Sequence, residues 1–124
     1  MTRGLITLAA SLLTAVTCAP SGPIAAGPGS PDAGKQLVTS KGCIACHTIQ
    51  QVPEARGTVG PVLDGVGDPV GRPKIAGGTL DNTPENLRRW LRDPPAAKPG
   101  TMMPNLSLTP QEISHLLAFL QTLK

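Results

Sequence analysis

The sequence predicts an all-α domain of about three main helices whose long Gly/Pro-rich loops wrap a core filler that the amino acids do not themselves provide. Two observations carry this. Three helix-start signals stand ahead of segments with helical apolar spacing, whereas residues 53–81 hold eleven Gly or Pro in twenty-nine and no alternating run long enough for a strand. The chain also has few large side chains to pack: one Trp, one Phe and no Tyr in 124 residues, with 14 Gly and 14 Pro. That length suits one domain. The glycines show no three-residue period, which excludes a collagen-like chain. Lys and Arg outnumber Asp and Glu by 11 to 8, spread without long like-charge runs or interleaved aromatics, so no nucleic-acid footprint is present.

Residues 1–18 read as a secretory signal, with Arg3 in a short basic start and an apolar run over Leu5–Val16 that is too short for the roughly 20 residues a membrane span needs. Export places the domain where free thiols oxidise. Ala15-Val16-Thr17-Cys18 resembles the lipobox of bacterial lipoproteins, whose cysteine is acylated; the alternative is cleavage near Ala26, which discards Cys18. Residues 19–31 hold four Pro and three Gly in thirteen and read as an extended tether, leaving 32–124 as the folded domain.

Asp32 is placed to cap a first helix over Ala33–Ser40, in which Gly34 leaves a flat spot for a close neighbour. Thr83-Pro84-Glu85 starts a second helix, with Leu87, Trp90 and Leu91 recurring until Asp93-Pro94-Pro95 stops it. A third begins at Thr109-Pro110-Gln111-Glu112, a capping box, and carries Ile113, Leu116, Leu117 and Leu120 toward the chain end.

The missing filler is named by Cys43-Ile44-Ala45-Cys46-His47. Two cysteines separated by two residues sit about one helical turn apart, so their sulfurs can add to the two vinyl groups of one haem, and the histidine after them can place its imidazole on the iron. A thiol-disulfide pair would call for a β-α-β setting, which is absent, and a zinc site for two further Cys or His ligands, while only His115 remains after the signal. One covalent haem c is therefore expected, held by Cys43, Cys46 and His47. The candidates for the sixth iron position are Met102, Met103 and His115. His115 lies off the centre of the apolar stripe of its helix and reads as a partly exposed histidine. The two methionines are neighbours in a stretch read as extended, so only one can reach the iron, and spacing alone does not choose between them.

From residue 32 onward the chain resembles the class I c-type cytochromes, matched by the Cys43–His47 motif and by Pro99-Gly100-Thr101-Met102-Met103-Pro104. The resemblance implies the cytochrome c fold around one haem and assigns the sixth ligand to Met103, with Met102 the variable residue before it. It implies that Gly60-Pro61-Val62-Leu63 supplies a proline carbonyl for the free ring N–H of His47, and that Trp90 lies near the haem, its indole offered to a haem carboxylate or Thr101. It also implies that Gly34 and Val38 cross Leu116 and Phe119. The run from Ile75-Ala76-Gly77-Gly78 through Asn82–Leu87 to the methionines most resembles the cytochrome domain fused to subunit II of bacterial haem-copper oxidases.

The resemblance and the motif together imply a one-electron carrier and not an enzyme: His/Met-ligated haem c, exported, at the extracytoplasmic face or in the periplasm, and held by a lipid if Cys18 is acylated. The expected partner is a redox protein, a haem-copper oxidase or another respiratory complex, met by a monomeric chain. Arg88, Arg89, Arg92 and Lys98 are candidates for a basic patch facing that partner. Two alternatives stand beside this reading: the haem c subunit of a periplasmic dehydrogenase, and a gas-binding or sensing haem protein with a labile sixth ligand.

Overall fold

The first described helix, in a computed structural model that describes residues 26–124, begins two residues earlier than the sequence suggests. α1 spans Pro31–Ser40; Ser30, not Asp32, is its cap, its hydroxyl accepting the Ala33 N–H at 3.3 Å. Ser and Asp cap about equally well, and Pro31, suited to the first helical position, decides between them. Asp32 sits in the first turn instead, where its charge opposes the helix dipole favourably. Residues 27–31, read from the sequence as the end of a flexible tether, are packed in place. Gly27 N–H donates to Gln111 Oε1 at 2.6 Å and Ser30 N–H to His115 Nδ1 at 2.9 Å. The signal over residues 1–18, Cys18 and the first part of the tether lie outside the described residues.

Gly42, in the left-handed region at φ 78°, ends α1 and opens a 3-10 turn over Cys43–Ala45. The long loop after it contains one small ladder the sequence does not announce: β1 (Lys74–Ile75) pairs antiparallel with β2 (Leu80–Asp81), Lys74 opposite Asp81. Two-residue strands are too short to show a period. Asn82 pins the loop from within, buried at 6% exposure and donating through Nδ2 to the carbonyls of Val66 at 2.9 Å and Arg72 at 2.8 Å. A buried amide bonded twice costs little; the same amide without partners would be expensive.

α2 spans Pro84–Arg92 with Thr83 accepting the Asn86 N–H, and stops at Asp93 as expected. Asp93 then caps a further single turn, α3 (Pro94–Ala97), its carboxylate accepting the Ala96 N–H at 3.2 Å. α4 spans Pro110–Leu120 and starts with the full capping box between Thr109 and Glu112. It stops short of the chain end. The last residues turn back so that Leu123 is 1% exposed and its carbonyl accepts the Gly67 N–H at 2.7 Å. Glu112 also meets Lys41 at 2.8 Å; that contact, helped by the Thr109 N–H, holds its carboxyl below the usual carboxylate range.

α1 crosses α4 closely. A Cβ on Gly34 would stand 2.1 Å from the His115 carbonyl oxygen and 2.7 Å from Phe119 Cβ, so the crossing depends on the bare glycine. Val38, Leu116 and Phe119 are buried around it, as expected from their resemblance to a helix crossing. Leu87 and Leu91 of α2 and Ile75 of β1 belong to the same core, as do Ile49, Val52 and Val66 from the loops. The architecture is thus all-α with a vestigial hairpin. Among the described residues, no helix is long and apolar enough to cross a membrane.

Candidate functional site

The core does not close on itself. Between the Cys43–His47 turn, the hairpin, α2 and the segment after α3 lies a cleft of about 600 Å³, lined mostly by apolar side chains such as Leu87, Leu91, Leu116 and Leu120. Its size falls within the roughly 300–1,000 Å³ usual for cofactor sites. Cys43, Cys46, His47, Met102 and Met103 all line it.

The 3-10 turn is held by its own backbone, with the N–H groups of Cys46 and His47 both donating to the Cys43 carbonyl at 3.2 and 3.0 Å. It presents both half-buried thiols to the cleft. Burial pushes the Cys43 thiol up, opposed by a backbone hydrogen bond, and the neighbouring Cys46 adds to the rise.

His47 is 9% exposed, and its Nδ1 lies 2.7 Å from the Pro61 carbonyl oxygen. A carbonyl only accepts, so Nδ1 carries the proton and Nε2 keeps the lone pair that can bind a metal. The Gly60–Leu63 segment is fixed against the motif by Gly60 N–H donating to the Cys46 carbonyl at 2.7 Å and Leu63 N–H to Thr48 at 2.9 Å. Gly60 must be a glycine, because a Cβ there would stand 2.5 Å from His47 Cε1 and 2.8 Å from Nδ1.

The other candidates separate by burial. Met103 is half-buried and packs on the core, whereas Met102 is 81% exposed. The segment bends at this pair where the sequence suggested an extended run, and the Met103 N–H reaches Thr101 Oγ1 at 3.4 Å. That hydroxyl is therefore engaged with backbone; Trp90 is half-buried on the cleft wall without the bond to Thr101 that the sequence suggested. His115 is not on the cleft: its Nδ1 accepts the Ser30 N–H and its Nε2 faces Gln111.

The four candidate cations of the basic patch differ in their surroundings. Arg88 turns to Ser114 Oγ on α4 at 3.3 Å, and Lys98 donates to the Ala76 carbonyl at 3.1 Å, leaving Arg89 and Arg92 exposed on α2. The cations on the cleft wall are Arg72, Lys74 and Lys98. Arg72 and Lys74 escape sequence reasoning because they sit in an aperiodic loop, and only the hairpin brings them to the cleft.

Among the described residues no three His, Cys, Asp or Glu side chains gather as a bare-metal site. Two thiols, a histidine with its far nitrogen free, a thioether and a large apolar cleft fit a flat, mostly apolar macrocycle with two reactive vinyl groups and an iron.

A family model for cytochrome c matches residues 31–124. The chain is 37% identical over 93 residues to cytochrome c oxidase subunit 2 of Bacillus sp. (strain PS3), covering 72% of this chain and 25% of that protein. It is 32% identical over 92 residues to cytochrome c oxidase subunit 2 of Alkalihalophilus pseudofirmus, covering 73% of this chain and 25% of that one. It is also 32% identical over 105 residues to cytochrome c2 of Blastochloris viridis, covering 73% of this chain and 76% of that protein. The chain thus spans about a quarter of the length of the oxidase subunits it matches.

Proposed function

The chain belongs to the cytochrome c family, and from that premise we propose that it is a one-electron carrier holding one haem c through thioether bonds from Cys43 and Cys46. His47 Nε2 and Met103 Sδ would hold its iron. When bound, the haem supplies an Fe(III)/Fe(II) couple that takes up or gives one electron without making or breaking a substrate bond. The observation that carries this reading is the Nδ1–Pro61 bond of His47, which leaves the opposite ring nitrogen available to bind a metal in the same turn that offers both thiols.

Each residue has a separate task. Pro61 fixes the tautomer and orientation of His47 and makes its imidazole a better donor. The half-buried Met103 supplies a soft thioether that favours Fe(II) and raises the potential. Leu87, Leu91, Leu116 and Leu120 line the cleft and would keep water from the face of a bound haem.

Both the relatives and the chemistry bear on the redox partner. Two of the relatives are subunits of an oxidase, which supports a respiratory complex as electron donor or acceptor. A brief encounter with an interface below about 1,200 Å² suits such exchange. The protein acts outside the cytoplasm, tethered by a lipid if Cys18 is acylated, and carries its electron as a monomer.

If His47 and Met103 both hold the iron, the reduced holoprotein is expected to keep its visible spectrum under carbon monoxide; a rapid shift to a CO-bound spectrum would instead identify a gas-binding site. Gly60→Ala is expected to push the His47 ring off the Pro61 carbonyl and to lower holoprotein stability by about 1–3 kcal/mol. Denaturant unfolding monitored at the haem band measures this loss.

A further inference from the structure

The cleft that fits the haem has an uneven charge. Its lining includes three side-chain cations, Arg72, Lys74 and Lys98, and no Asp or Glu. Haem brings two carboxylates, and a carboxylate taken into an apolar cleft is costly unless paired and hydrogen-bonded. The three cations are not equally available. Lys74 pairs with Asp81 at 2.5 Å, and its side chain is 53% exposed, so its charge is neutralised in open solvent. Arg72 gives one guanidinium nitrogen to the carbonyls of Val62 at 2.6 Å and Asp64 at 3.3 Å, and keeps its other donors. Lys98 gives one of its three N–H bonds to the Ala76 carbonyl, and its acceptor there is a neutral group.

The position of Lys98 adds a second role. Ala76, Gly77 and Gly78 all have positive φ, at 54°, 64° and 87°, and form the turn between β1 and β2 over the cleft. A Cβ on Gly77 would stand 2.6 Å from Lys98 Nζ, so the ammonium is seated directly against this turn. Lys98 lies five residues before Met103. It therefore joins the strained turn on one wall to the segment carrying the proposed iron ligand on another.

We propose that Lys98 is a positioning residue: its ammonium latches the Ala76–Gly78 turn to the Met103 segment and, with Arg72, is the cation that receives the haem carboxylates. A cation held there opposes the extra positive charge of Fe(III) and so raises the reduction potential. The inference rests on the haem c reading of the cleft.

The test titrates the holoproteins of the wild type, Lys98→Gln, Lys98→Arg and Arg89→Gln. Gln keeps an N–H donor for the Ala76 carbonyl and removes the charge; Arg keeps the charge; Arg89 is exposed and off the cleft. The Lys98→Gln midpoint is expected to move to lower potential by a several-fold change in the one-electron equilibrium, with Lys98→Arg restoring most of it and Arg89→Gln staying near wild type. A Lys98→Gln midpoint that matches Arg89→Gln overturns the carboxylate role, even if its melting temperature falls. Should Lys98→Gln not assemble, Lys98→Met removes the charge and the donor together, and a midpoint equal to that of Arg89→Gln overturns the carboxylate role all the same. Failure of the haem reading is distinct, because the wild-type chain would then carry no covalently linked haem to titrate.

Discussion

Met103→Ala is expected to remove the sixth ligand and lower the reduction potential well outside measurement error, within the roughly 0.8 V that haem axial ligands of all types can span. Met102→Ala is expected to leave the potential near wild type. The difference comes from placement, since Met103 is half-buried against the core while Met102 is 81% exposed. A lost thioether removes a soft donor that favours Fe(II) and lets water or a harder ligand take its place. Potentiometry of the two holoproteins separates them, and a Met102 variant that lost the high potential while the Met103 variant kept it would reverse the assignment.

Replacing Cys43 and Cys46 together with serine is expected to leave a chain with little helical circular dichroism and no cooperative melt. The cleft occupies about 600 Å³ of a domain with one Phe and one Trp. If only a quarter of that space stayed as dry void, the cost at about 24 cal/mol per Å³ would reach about 4 kcal/mol. Whole domains are stable by only roughly 5–15 kcal/mol. The remaining contacts, chiefly α1 against α4, order too few residues to offset the chain entropy. A cooperative, helical unfolding transition in the haem-free variant would show that the protein core suffices by itself.

The helices were legible where local chemistry decides them. Thr83-Pro84 and Thr109-Pro110-Gln111-Glu112 mark their starts because cap, proline and acid each satisfy a known backbone need within four residues. The same device over Asp93-Pro94-Pro95 also starts α3, although it reads at first as a stop. Ser30 was hidden because it falls inside a stretch whose composition suggests a linker, and only the bonds to Gln111 and His115 show that stretch packed. The motif at Cys43–His47 was visible because covalent attachment and ligation need adjacent residues. Asn82, Arg72 and Lys98 bond to partners eight to twenty-two residues away, and no local pattern records such pairings.

Redox titration of the purified holoprotein, monitored at the visible haem bands, tests the electron-carrier role most directly. One haem per chain that survives denaturation, a single one-electron midpoint, and a long-wavelength sulfur-to-iron band in the oxidised form are expected. A haem that washes out on denaturation, or an oxidised spectrum without the sulfur-to-iron band, would contradict attachment through Cys43 and Cys46 or ligation by Met103.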